Sequence, residues 1–211
     1  ARFLTKKPQR ADILSVFAGL RPLVGHSSGT ATSKLSREHE ILTSASGLIT
    51  VIGGKWTTYR KMGQDVIDLA ARVGGLAPQA SRTAELPLHG APAGSSRFSW
   101  DDASDDPLDI YGTDRRRIKE LSEQHSDYAA LLTPSLPYLA AQVAWAVEHE
   151  MARTVEDVLS RRLRALLLDA RASVDAAPAV ATLMQSLLQR DDAWRASQLD
   201  AYRDLAHHYM A

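Results

Sequence analysis

Residues 76–106 divide this chain. Pro78, Pro87 and Pro92 deny a helix or a sheet its backbone donors there, Gly90 and Gly94 loosen the main chain, and the acidic run DDASDD closes the stretch. Such a segment reads as a linker between separately packed bodies. The expected organisation is a first region at 1–75, a linker at 76–106 and a second region at 107–211.

The second region carries helical periodicity nearly throughout. Leu139, Val143, Ala146 and Val147 form one apolar stripe, and Val180, Leu183, Met184, Leu187 and Leu188 form another. Thr154 to Asp157, TVED, has capping-box spacing, ahead of an apolar side made by Val155, Val158, Leu159, Leu163, Leu166 and Leu167. A last helix shows Leu199, Tyr202, Leu205 and Tyr209. Pro107 and Pro137 fall where a first helical turn tolerates proline. These patterns predict a compact all-α bundle.

The first region reads differently. Residues 12–20, DILSVFAGL, suit a buried strand that Arg21-Pro22 ends. Residues 25–34 are small and polar and read as a loop. Residues 38–52 split at 44–47 into two β-rich pieces, which predicts a hairpin. A helix follows, with Met62, Val66, Leu69, Ala70 and Val73 on one face and Gly74-Gly75 at its end. The fold class is therefore mainly α: a helical C-terminal bundle preceded by a small α+β portion of two or three strands and a helix.

Composition excludes several functions. The 211 residues contain no cysteine, so disulfides, thiol catalysis and thiolate metal sites are ruled out. Formal net charge is zero, which gives no global attraction to nucleic acid or acidic membranes. The seven histidines show no helical His-x-x-x-His pair beside a carboxylate, so no metal site is expected. The four tryptophans are dispersed and read as core or interface anchors, not as a base-stacking platform. The basic stretch 160–171, SRRLRALLLDAR, admits a membrane-surface helix but fits better as a bundle helix with a solvated arginine face.

The stretch that carries chemistry is TVIGGKWTTYRK, residues 50–61. A β-branched run stops at Gly53-Gly54, Lys55 follows, and a helix begins. Glycines let a partner approach the backbone, and a helix start offers unpaired amides and the positive end of a dipole. Lys55 adds a full charge. A P-loop is excluded by its spacing. A tight turn with a solvated lysine stays open as the plain alternative. Arg21 and Arg37 stand at the ends of two other elements, and three such cations suit a small dianion, unless each arginine is an ordinary surface residue.

Taken together, FAGLRPLV, SREHEI, GLITVIGGKWTTYRKM and ARTVEDVLSRRLRALLLDA resemble the C-terminal part of FAD-dependent, quinone-linked glycerol-3-phosphate dehydrogenase, in the family's order, from about Ala11 to the end. The resemblance implies that residues 1–75 are the remnant of an FAD-binding fold and that the helical half is the family's α-helical cap. It implies oxidation of sn-glycerol 3-phosphate to dihydroxyacetone phosphate, with hydride passing to FAD and electrons to a membrane quinone. Gly53, Gly54, Lys55, Trp56 and Thr57 would meet the flavin, and Arg21, Arg37 and Lys55 the substrate. Position 38 is Glu, a mild variation on the family's pattern. No Gly-x-Gly-x-x-Gly fingerprint for the adenine-diphosphate half occurs here, and the catalytic base would lie upstream. The chain thus reads as a fragment, inactive alone, holding FAD weakly if at all, with no catalytic residue of its own.

The parent would be cytoplasmic, with peripheral membrane contact and a homodimer left open. Strands cut from their sheet partners predict either disorder in residues 1–45 or a dimer through that region. The competing reading is a non-catalytic helical interaction module with residues 1–75 as an appended arm.

Overall fold

The computed structural model describes residues 5–20, 38–91 and 106–211. They fold into two compact units: Ala1–Ala18 together with Gly90–Ala211, and Gly19–His89. The architecture is mainly α with two small two-stranded sheets.

In the unit spanning Gly19–His89, β1 (His39–Thr43) and β2 (Ile49–Gly53) pair antiparallel, with His39 opposite Gly53 and Thr43 opposite Ile49. The reversal uses Gly47 at φ 85°, and Ser44 Oγ accepts the Leu48 amide at 3.1 Å. A 3₁₀ turn (Trp56–Thr58) then leads into α1 (Tyr59–Val73). Gly75, at φ 65°, follows its end, and the Gly74 amide returns to the Ala70 carbonyl. Met62, Val66, Leu69 and Ala70 are half-buried, and no described residue of this unit is fully buried.

The other unit contains the core. Its elements are α2 (Arg115–Gln124), a hairpin of β3 (Leu131–Thr133) and β4 (Leu136–Leu139), α3 (Ala140–His149), a π-helical turn (Asp157–Arg162), α4 (Ala165–Leu168), α5 (Ala170–Leu187) and α6 (Asp192–His207). Val143, Ala146, Val155, Val158, Leu159, Leu166, Val180 and Met184 are sealed in one cluster with Tyr202. Leu108, Ile118, Ala141 and Trp145 form a second, smaller one. The Tyr202 hydroxyl bonds the buried Ser173 hydroxyl at 3.0 Å, and burial pushes its pKa to about 12.

Three readings of the sequence change. Residues 13–20 form no strand and are exposed but for the half-buried Ser15; they follow a 3₁₀ turn (Arg10–Asp12), and Leu14, Ser15 and Val16 bond to Ala170, Leu166 and Tyr209 instead of to a ladder. An apolar run does not say which backbone will satisfy it. Pro137 lies in β4, not in a helical turn; a two-stranded ribbon has free edges, which is where a strand accepts proline.

The third change concerns the stretch 154–171. The capping box is real: Thr154 Oγ1 accepts the Asp157 amide and Asp157 Oδ2 accepts the Thr154 amide, both at 3.0 Å. The helix it opens is π-wound, and it breaks at Arg164, whose φ is 58°. The arginines are therefore not one continuous face. Arg161 pairs with Glu156 and Asp157, whereas Arg162 turns back to the Glu150 carbonyl at the end of α3.

A close glycine crossing joins the incoming chain to this unit. The Thr113 amide donates to the Gly90 carbonyl at 2.9 Å. Gly112 sits at φ 55°, and a Cβ there would lie 2.1 Å from the Gly90 oxygen.

Candidate functional site

β2 ends at Gly53, and the next residues form the turn that the sequence singles out. Gly53 and Gly54 have φ of 74° and 92°, values that L side chains resist. At Gly54 there is a second reason for glycine. An added Cβ would meet Met62 Sδ and Cε at 2.5 Å and His39 Cβ at 3.4 Å. The missing side chain is thus the space into which Met62 of α1 packs. Met62 was legible as part of the apolar stripe; its place under Gly54 was not.

Lys55 is extended and exposed, and no ion-pair partner for it occurs among the described residues. Its carbonyl accepts both the amide and the hydroxyl of Thr58 at 3.0 Å. The Tyr59 amide returns to the Trp56 carbonyl. The α-helix therefore begins later than the sequence suggests, and a 3₁₀ turn consumes some of the amides. Those of Trp56 and Thr57 have no acceptor among the described residues. Trp56 is 85% exposed, and its ring stacks on Tyr59 with centroids 5.4 Å apart.

Polar contacts hold the turn between hairpin and helix. His39 on β1 meets Asp65 on α1 at 3.1 Å, and Lys61 bonds the same carboxylate. The Lys61 hydrogen bond and charge, with a lesser contribution from His39, outweigh the opposing effect of burial and hold the Asp65 carboxyl below its ordinary value. The Lys61–Asp65 spacing of four was readable as a helical pair; the His39 partner was not.

Beyond the turn, Arg60 reaches Gln64 and, at 3.1 Å, the Thr83 hydroxyl. This fixes residues 79–88 along α1 and leaves a groove lined by Tyr59, Gly63, Ile67, Leu86 and Leu88. The structure thus brings Gly53, Gly54, Lys55, Trp56 and Thr57 into one exposed turn. Arg21 and Arg37 lie outside the described residues. Among the described residues no cluster of metal-ligating side chains occurs, and no helix is long and apolar enough to cross a membrane.

Together these features define a mainly helical C-terminal module with a strand–glycine–glycine–lysine turn ahead of it. The sequence model for the C-terminal domain of alpha-glycerophosphate oxidase matches residues 81–195, and the chain belongs to that family. Across nearly its whole length the chain is also similar to mitochondrial glycerol-3-phosphate dehydrogenases. It is 32% identical to that of Homo sapiens and 31% to that of Bos taurus, each over 220 residues covering 96% of this chain and 29% of the relative. A probable mitochondrial glycerol-3-phosphate dehydrogenase of Caenorhabditis elegans is 34% identical over 215 residues, 92% of this chain and 29% of that one. The chain therefore spans less than a third of the length of these curated relatives.

Proposed function

We propose that this chain is the C-terminal part of an FAD-dependent glycerol-3-phosphate dehydrogenase that oxidises sn-glycerol 3-phosphate to dihydroxyacetone phosphate and delivers electrons to quinone. The observation that carries the reading is the exposed turn at Gly53–Thr57. Two side-chain-free residues, two amides and one ammonium form a donor set for which no acceptor occurs among the described residues. Such a set fits the electron-rich edge of a flavin, which supplies hydride acceptance when bound.

Gly53 lets a planar ring come close to the backbone, Gly54 offers the guest main-chain atoms because Met62 takes its Cβ side, and the Trp56 and Thr57 amides offer hydrogen bonds. Lys55 contributes positive charge toward the same guest and toward the substrate. Arg21 and Arg37 complete the neutralisation of the substrate's phosphate. The parent enzyme works in the cytoplasm, peripheral to the membrane that holds its quinone. A second reading, a non-catalytic helical interaction module, draws on the fact that every buried described residue belongs to the helical unit.

The discriminating experiment joins this chain to the nucleotide-binding half of its parent. The product should bind flavin and reduce a quinone analogue with glycerol 3-phosphate, while the 211-residue chain alone should not. Lys55→Ala in the complete enzyme should lower kcat/KM by about a hundredfold, the loss of a desolvated charge contact, with the helical unit's melting unchanged. A complete protein that stays colourless and inactive sinks the enzyme reading in favour of the module.

A further inference from the structure

Gly53 and Gly54 give the chain between hairpin and helix its greatest freedom, since glycine loses more of it on ordering than any other residue. Two contacts from one face of α1 take that freedom away. Met62 packs where a Gly54 side chain would stand. Asp65, three residues further along the same face, meets His39 Nε2 at 3.1 Å. His39 heads β1 opposite Gly53, and its Cβ would lie 3.4 Å from a Cβ on Gly54. His39 therefore borders both glycines from the hairpin, while Met62 borders Gly54 from the helix. A carboxylate only accepts, so Nε2 carries the hydrogen. Both side chains are half-buried, at 20% and 28% exposure, where such a charge-assisted bond is worth more than at an open surface. Lys61 holds Oδ1 of Asp65 from within the helix and leaves Oδ2 to the strand.

We propose that His39 and Asp65 form a clamp that positions the Gly53–Thr57 donor turn against the flavin edge, which makes both of them positioning residues. The inference rests on the function proposed above. The clamp acts through geometry. With β1 tied to α1, Gly53 and the Trp56 and Thr57 amides meet a ring as one preorganised set and need no ordering at the moment of binding. Neither side chain has to touch the guest. A through-space role would have the opposite signature. Taken as a charge, the Asp65 carboxylate opposes electrons arriving on the ring, so its removal would favour reduced flavin. Taken as half of the clamp, its removal slackens the donors that stabilise reduced flavin, and so disfavours it.

His39→Ala and Asp65→Ala in the complete enzyme test the clamp, read by the potential of the bound flavin and by FAD affinity. Each should lower the potential by about 30 mV, a tenfold loss of preference for the reduced form in a two-electron couple, and weaken FAD binding by about tenfold. The double variant should do no more than Asp65→Ala alone. His39→Gln, which keeps a donor near the place of Nε2, should recover about half of the shift or more. A potential that rises in Asp65→Ala overturns the proposal, as do effects of the two substitutions that add in full. A lower melting temperature with potential and FAD affinity unchanged marks a merely structural tie and overturns it too. If the alanine variants do not fold, Asp65→Asn decides, since it keeps the size and weakens the bond: a fall in potential supports the clamp, and a rise or no change overturns it. A complete protein that binds no flavin removes the underlying function and this inference with it. The melting shifts of the two single variants and the double then still report whether the clamp exists, because shifts that add in full deny it.

Discussion

The two units place their apolar side chains in opposite ways. In the helical unit, Val158, Leu159, Leu166, Val180 and Met184 are sealed from water. In the hairpin–helix unit no described side chain is buried, and Leu48, Ile67, Leu76, Leu86 and Leu88 are each about two-thirds exposed. Both have regular hydrogen-bonded elements, so local structure does not distinguish them. Burial does, because burial is what offsets the entropy of ordering a chain. The helical unit has the means to stand by itself. The hairpin and α1 depend on a few polar ties, His39–Asp65 and Arg60–Thr83 among them, and leave an apolar surface of the kind that partners cover.

The sharpest way to break this contrast is a pair of truncations. Leu166→Ala should destabilise the helical unit by about 3 kcal/mol, as loss of a sealed leucine does, and Ile67→Ala should cost under about 0.5 kcal/mol. Chemical denaturation followed by circular dichroism measures both; equal costs would show that α1 is covered in solution. Next in size is Gly112→Ala, where a methyl would strike the Gly90 carbonyl in a left-handed backbone. A loss of about 2 kcal/mol is expected, and a silent variant would detach the Gly90 crossing from the helical fold.

Smaller effects separate two carboxylates of the helical unit by the sign of their pH dependence. Burial pushes Asp157 up, but the Arg153 and Thr154 amides, the Thr154 hydroxyl and Arg161 outweigh it and hold the carboxyl below its ordinary value. Its folded state binds fewer protons, so its contribution is full above the ordinary carboxylate value and fades as pH falls through the lower, folded one. Asp157→Asn should cost about 1 kcal/mol at pH 7 and nothing once both forms are protonated. Glu150 is the reverse case. Burial raises its pKa, and Arg162 only partly opposes this. Its folded state holds the proton longer, so stability falls as pH rises through the ordinary carboxylate value toward the raised one. Glu150→Gln should therefore raise Tm slightly at pH 7 and lose that advantage in acid. A lowered Tm at pH 7 would mean that the Arg162 contact outweighs desolvation.

What the sequence discloses follows the same divide between local and distant causes. The 39–53 hairpin, α1 and its glycine end, the α3 stripe and the Thr154 box depend on neighbours within a few positions, and all were legible. The π-wound turn, the left-handed Arg164 and the short β3–β4 ribbon arise from packing, which periodicity does not encode. Residues 12–20 read as a buried strand, and that failed, because Asp12 ends a 3₁₀ turn and the partners of residues 14–16 lie in α4, at the start of α5 and beyond α6. At the candidate site the donor-rich turn was legible from two glycines and a lysine. Met62 beneath Gly54 and His39 against Asp65 were not, because each joins a strand or turn to a helix face that only folding brings near.

The bond between Ser15 and Leu166 also sets an order in time. Ser15 and Leu166 are 151 positions apart. On a ribosome adding about 5–20 residues per second, the earlier one waits roughly eight to thirty seconds for its acceptor to be made. During that interval the polar groups of residues 14–16 stay idle, an invitation to holdase chaperones that ends only when Tyr209 has left the exit tunnel.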